Sequence, residues 1–290
     1  MRLIAVAVLL SGCAGTLSSM QTAVPVEPRH VQVTGGYGVY LPLGPAADAV
    51  AQGVKQAEKA TRAAVEGGNY ELTEEDAQQI LTAGIGLATM PPGTAYEIMV
   101  RTGIVQDIDI GLKYSTAGSL KLDGKYRFFH RGPEEGGGGA MTPSYDLAIA
   151  TGVSKYFFSS PVIEVLEFVQ LGDFSRWDFE VPMYFSIEWG KILKFWVAPK
   201  WIYSRTSFDG ELVEISNEAS RYSEYNLGLP DVVNTHFFGS SVGFAAGYRW
   251  VHVMLELTAG YTYCRPTVFG RERNIGGLTL YPSIGLQVKI

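Results

Sequence analysis

The stretch Arg176 to Trp189, RWDFEVPMYFSIEW, alternates without a break. Its odd positions read Trp177, Phe179, Val181, Met183, Phe185, Ile187 and Trp189, and its even positions read Arg176, Asp178, Glu180, Pro182, Tyr184, Ser186 and Glu188. A period of two belongs to a β-strand whose two faces meet different surroundings. A soluble sandwich also alternates, but its buried face rarely carries seven large apolar residues in a row with a Trp at each end. Hydrocarbon outside and a polar lumen inside explain the pattern better. Thirteen steps of about 3.3 Å, tilted roughly 45°, rise about 30 Å, close to the thickness of a bilayer's hydrocarbon core.

The rest of the chain is read against that solvent. No stretch offers the roughly 20 apolar residues that a spanning helix needs. The net charge of -6 gives no sign of a nucleic-acid surface, and 34 Gly with 16 Tyr suit strands and tight turns. The two cysteines, Cys13 and Cys264, do not make a disulfide framework.

Alternation starts at Val31, Val33, Tyr37, Val39 and Leu41, stops between Gly44 and Met90, and resumes after Pro91-Pro92-Gly93. Strands are expected near 31–41, 94–103, 106–115, 119–129, 145–155, 176–189, 192–204, 237–248, 251–263 and 278–290. The fold class is therefore all-β, an antiparallel up-and-down transmembrane barrel of about ten strands. A helical insertion at 43–92 lies between the first strand and the second. One helix is expected near Pro45 to Glu66 and another near Glu74 to Leu87, where Thr73 can cap a first turn of Glu74, Glu75 and Asp76. The insertion would act as a lid or a plug. Val162 to Leu171, with a partner near Leu212 to Ile215, would raise the count to twelve. Pro182 and Pro199 fall inside strands and predict either bulges or locally unpaired stretches, since proline gives no ladder donor. The Gly-rich link from Arg131 to Pro143 reads as a linker.

Each expected strand has one face free of Asp, Glu, Lys and Arg. Tyr96, Ile98 and Val100 oppose Glu97, Met99 and Arg101, and Val251, Val253, Leu255 and Leu257 oppose His252, Met254, Glu256 and Thr258. A charge on the lipid face costs about 2–4 kcal/mol at mid-bilayer. The predicted aromatic girdle comprises Trp177, Trp189, Trp201, Tyr261 and Tyr263. The inward faces nearly balance acids against bases, which predicts a cross-paired lumen network of Arg176, Asp178, Glu180, Glu188, Lys194, Lys200, His252 and Glu256. Ten strands leave a narrower interior than the 16–18 of open porins.

Met1 to Leu10 has Arg2 ahead of a short apolar core, as in a secretory signal peptide. Leu10-Ser11-Gly12-Cys13 after it resembles the lipobox of bacterial lipoproteins. The resemblance implies a signal peptide at 1–12, lipidation of Cys13 and, with Ala14 next, sorting to the outer membrane. Residues 13–29, rich in Ser, Thr, Val and Pro, read as a flexible tether between this anchor and a barrel at 30–290. Cleavage elsewhere, for instance after Ala23, is the alternative. Ser283-Ile284-Gly285-Leu286-Gln287-Val288-Lys289-Ile290 resembles the C-terminal assembly signal of outer-membrane β-barrels, with Ser283, Gly285, Val288 and Ile290 at the signature positions. Ile290 stands where an aromatic is more usual.

These resemblances imply a bacterial, Gram-negative cell-envelope protein of the outer membrane. The implied partners are outer-membrane lipid, the barrel-assembly and lipoprotein-sorting machinery, and an extracellular partner at the loops. The leading reading is a structural, adhesive or surface-interaction role with a narrow, charge-filled lumen. The second is a porin-like gated channel or transporter for small solutes or ions, plugged by the 45–88 helices. The third is a protease- or lipase-like outer-membrane hydrolase. His252 with Glu256 could transfer a proton. His236 lies near Asp231 in the region where omptin-like proteases place such residues, but its surroundings do not match that family, and Ser240 has no outward His beside it. No catalytic set, metal cluster, nucleophile elbow or phosphate loop is evident, so no enzyme activity and no cofactor are expected.

Overall fold

A strand that alternates apolar and polar over its full length leaves two bare hydrogen-bonding edges, and closure of the sheet removes both. The computed structural model describes residues 15–45, 47–48, 51–52, 55, 74–133, 142–157, 174–190, 192–208, 231–268 and 270–290. Ten strands close into an antiparallel barrel: β1 (Val31–Pro42), β2 (Gly93–Val105), β3 (Ile108–Ser115), β4 (Ser119–Arg131), β5 (Pro143–Tyr156), β6 (Phe174–Trp189), β7 (Leu193–Phe208), β8 (Val232–Tyr248), β9 (Val251–Cys264) and β12 (Gly277–Lys289). A two-stranded hairpin, β10 (Thr267–Val268) with β11 (Arg271–Glu272), sits between β9 and β12 outside the barrel sheet. The helix α1 (Glu74–Thr89) lies between β1 and β2. Val162 to Leu171, Leu212 to Ile215, the Gly-rich run at 134–141 and most of the first expected helix fall outside the described residues. Helical backbone is described at positions 45, 47, 48, 51, 52 and 55.

Neighbouring strands pair in sequence, and β1 closes the ring against β12. Partners traced from Gly36 through Glu97, Ser115, Ser119, Tyr156 and Arg176 arrive at Thr206. Traced the other way, through Gly285, Met254 and Ala245, they arrive at Lys194. The offset along β7, 206 against 194, is the barrel's shear and corresponds to strands tilted about 40°.

The links sort by end. One end carries the turns at 106–107, 190–192 and 249–250 together with the link at 132–142. The other carries 43–92, 157–173, 209–231 and 265–276, with 116–118 as its one short turn. These are called the short-link and long-link ends below.

The β6 alternation lies as its sequence implies. All seven even residues from Arg176 to Glu188 are buried in the lumen and all seven odd ones face outward. The same holds for β2, β3 and β9. The outer surface is accordingly apolar, with Tyr96, Leu122, Val253 and Leu255 each about half exposed or more. Departures include Arg205, exposed on the outer face of β7, and Lys155, on the outward parity of β5, so the expected absence of charge on every outer face does not hold. The Lys155 ammonium bends back over the Trp177 ring, 4.6 Å from the centroid, and donates to Ser175. The position is the end of the strand, where a long aliphatic stem lets the charge reach polar surroundings. Pro182 and Pro199 produce no bulge. The β6–β7 register is the same at Pro182↔Lys200 and Phe185↔Val197, and the residues between lack ladder pairs.

At the long-link end an apolar cluster joins Ile85 and Met90, at the C-terminal end of α1, to Tyr40, Ile202, Val233, Phe237, Cys264, Val268, Ile275 and Tyr281. The C-terminal end of α1 thus packs at that mouth. What fills the lumen is a different segment.

Candidate functional site

Residues 15–28 run through the barrel. The region expected to be a flexible tether is buried from Gly15 to Val26 except for Thr16 and Val24, which are half-buried. The segment includes Pro25 and Pro28, which lack an N–H, and among the described residues it joins no ladder beyond a single bridge from Pro28 to Gly103. A buried backbone without strand partners must find other ones, at a cost of about 1–3 kcal/mol for each group left bare. Here the lumen side chains provide them.

Lysines take up its carbonyls. Lys200 donates to Leu17 O, Lys113 to Ser18 O at 3.0 Å, and Lys125 to both Thr22 O at 2.9 Å and Val24 O at 3.0 Å. Carboxylates and hydroxyls take up its amides. Val26 N donates to Asp109 at 2.9 Å, Ala23 N to Ser186 Oγ at 3.1 Å, and Ser19 N and Met20 N donate to the two oxygens of Glu256 at 2.6 and 2.7 Å. Side chains add further bonds. Ser18 donates to Glu97, Gln21 to the Tyr184 hydroxyl at 2.7 Å, and Thr22 to Glu188 at 2.7 Å.

The Glu256 contact is the most specific of these. Met20 adopts φ 42°, a left-handed conformation that costs a non-glycine residue about 1–3 kcal/mol unless its surroundings enforce it. The kink turns two successive N–H groups toward one point, making an anion-binding nest. Glu256 occupies that nest, and Trp196 Nε1 donates to the same carboxylate at 2.8 Å.

The Met20 side chain is seated as firmly as its amide. Gly36 and Gly285 face each other across the β1–β12 seam. A Cβ on either would come within 2.8 or 2.7 Å of Met20 Sδ. Two glycines thus form the seat on which Met20 rests, within a buried cluster that also holds Ala23, Ala148, Ala150, Tyr184, Trp196, Ala198, Ala245 and Met254. Gly103 similarly admits the backbone of Val26 and Glu27.

Around the segment the lumen charges pair with one another. Arg101 bridges Asp109 and Asp123, Lys121 pairs with Glu180, Lys125 with Asp109 at 3.4 Å, and Arg176 with Asp178 at 2.8 Å. Arg127 and His130 both reach Asp146, at 3.1 and 2.6 Å. Lys194 pairs with Glu188 at 3.6 Å and Lys200 with Glu180 at 3.9 Å. The eight residues predicted for the lumen all face it, although Lys194 is only partly buried. A nearly neutral, cross-paired interior offers no ring of one sign to select an ion.

The residues weighed for a hydrolase fall in two separate places, the lumen and the outer face. His252 and Glu256 both face the lumen and are buried, but the Glu256 carboxylate is taken by two amides and an indole. His236 is on the outer face among aromatics, its ring 5.2 Å from Tyr203, 6.1 Å from Trp201 and 6.3 Å from Phe238. Ser240 lies four positions further along β8, about 13 Å at strand spacing, too far for a nucleophile–base hydrogen bond.

The five girdle residues face outward. Trp177 and Trp189 sit toward opposite ends of β6, and Trp201 and Tyr261 are both in register with Phe238. Of the predicted assembly residues, Ser283 faces the lumen and donates to Glu256 O at 3.3 Å, and Gly285 is the Met20 seat. Val288 and Ile290 complete the short-link end, where Ile290 and Val31 exchange backbone hydrogen bonds at 2.9 and 2.7 Å. Residues 1–12 and Cys13 lie outside the described residues.

No family model and no curated protein matches this chain. Among solved structures it is similar to the neisserial surface protein NspA, at 11% identity and TM-score 0.30, covering 90% of this chain and 96% of that one. It is also similar to the attachment invasion locus protein Ail of Yersinia pestis, at 7% identity and TM-score 0.30, covering 91% and 100%. A third is the outer membrane phospholipase A of Escherichia coli, at 9% identity and TM-score 0.29, covering 91% and 97%. At these values the likeness adds nothing to what the geometry says.

Proposed function

We propose that the chain spans the bacterial outer membrane as a plugged, non-conducting barrel. Its role is surface interaction through the long-link end, and lipidation at Cys13 supplements its anchorage. The apolar outer face and the polar, paired lumen support the membrane placement, because only a closed barrel satisfies every strand hydrogen bond in hydrocarbon. Short periplasmic turns and longer extracellular loops are the rule for such barrels, which orients the long-link end outward. The observation that carries the non-conducting role is the occupation of the lumen by residues 15–28, with backbone groups bonded to Lys113, Lys125, Lys200, Asp109 and Glu256. A porin-like role for the 45–88 helices draws less support, since the lumen is filled by another segment.

The purified protein is expected to run faster on a gel unboiled than boiled and to leave a planar bilayer silent. Stable conductance steps from the unmodified protein would overturn the non-conducting reading. Unchanged mobility would overturn the barrel in the membrane.

A further inference from the structure

The lumenal segment has a direction. Its Pro28 lies on Gly103 at the short-link end, next to the turn at Arg29 and His30 that leads into β1. Its Gly15 lies at the long-link end, where a Cβ would meet the Tyr156 hydroxyl at 3.5 Å and the Arg176 guanidinium at 3.9 Å. Tyr156 ends β5 and Arg176 is in the first turn of alternation of β6, beside the 157–173 link. Leu17 is in the apolar cluster beneath α1 at that same mouth. From Gly15 to Pro28 the chain can extend about 43 Å, enough to cross a hydrocarbon core of about 30 Å with slack for the kink at Met20.

We propose that the barrel carries its own amino-terminal end to the extracellular mouth, so that the chain ahead of Gly15 leaves on the outside of the cell while β12 ends on the periplasmic side. This rests on the orientation given under the proposed function. A periplasmic tether would have put both ends of the fold on one side. Threading separates them. Cys13 precedes Gly15 by two residues, so a lipid on it would have to reach the membrane from the extracellular mouth. The rim there suits anionic headgroups. Lys155, Trp177 and Arg205 are in register on the outer face, two cations flanking an aromatic ring at the strand ends.

The test is thiol accessibility on intact cells with a membrane-impermeant maleimide. Thr16 is half-buried near the long-link mouth, Gln106 is exposed in the β2–β3 turn at the other end, and Cys264 is buried and should stay unlabelled. Labelling of Thr16→Cys on intact cells should exceed that of Gln106→Cys at least tenfold, with Gln106→Cys labelled only after permeabilisation. An epitope inserted between Ala14 and Gly15 should bind antibody on intact cells. If both thiols and the epitope respond only after permeabilisation, the threading is wrong while the orientation stands. If Gln106→Cys alone responds on intact cells, the orientation itself is inverted and the inference falls with it. Palmitate labelling that is lost in Cys13→Ser supports the lipidation, and absence of label in the unmodified protein overturns it.

Discussion

Deleting residues 15–28 is expected to turn a silent barrel into a conducting one. The segment fills the axis of a ten-stranded barrel, and barrels of about eight strands are already as wide as their side chains can fill. Removing it exposes the cations Lys113, Lys125 and Lys200 and the anions Asp109, Glu188 and Glu256. All six currently bond to the segment. Water will hydrate these groups, because an unpaired buried charge costs more than an ordered water. Planar-bilayer recordings should show discrete openings, with weak selectivity because the walls carry both signs. A variant that folds, as judged by heat-modifiability, yet stays silent would mean that the wall side chains or α1 close the barrel unaided. Replacing 45–88 by a short linker while keeping 15–28 should leave the bilayer silent.

The second large effect is expected at Glu256. Substitution by Ala strips the acceptor from the Ser19 and Met20 amides and from the Trp196 indole at once. Hydrogen bonds to a charged group contribute about 1.5–3 kcal/mol each and do not add in full. Removing one partner of a buried charged network costs about 3–5 kcal/mol, and Glu256→Ala should fall in that range. Glu256→Gln keeps one carbonyl acceptor and should lose less than half as much. The urea midpoint for loss of the fast-migrating band measures the cost. Trp196 fluorescence reports the local change, since its indole loses a fixed partner. A midpoint shift no larger than that of an exposed substitution, within about 0.5 kcal/mol, would show that the nest does not hold the segment.

The barrel itself was legible because its physics is periodic. Lipid on one side and a lumen on the other force a choice at every second residue, so Arg176–Trp189 declares both faces and nine further strands follow with ends displaced by a few residues. The segment at 15–28 was not legible, because its burial runs through backbone bonds to side chains more than a hundred positions away in several cases. Such bonds impose no period, and Ser, Thr, Val and Pro read as linker. The left-handed turn at Met20 has no glycine to announce it. Two signals did point there. Buried lysines such as Lys125 and Lys200 each carry three N–H donors but meet one carboxylate apiece, which leaves donors for carbonyls from elsewhere. Gly36 and Gly285 also lie at paired inward positions, with the small pair Gly38 and Ser283 beside them, which marks room for a knob. Lys155 was missed for a simpler reason: parity ignores depth, and a lysine at the end of a strand escapes the penalty that mid-bilayer would impose.

The seat of Met20 on the β1–β12 seam also has a topological meaning. Ten paired strands form a ring, the segment is an axle within it, and both belong to one polypeptide joined through Arg29 and His30. An axle of this kind cannot leave sideways without parting a ladder, and it can only slide out through the mouth beside its own joint. In such an interlocked assembly a bulky group beyond the far mouth acts as a stopper. Any folded or bulky group joined ahead of Gly15 would lock the axle in its ring by size alone.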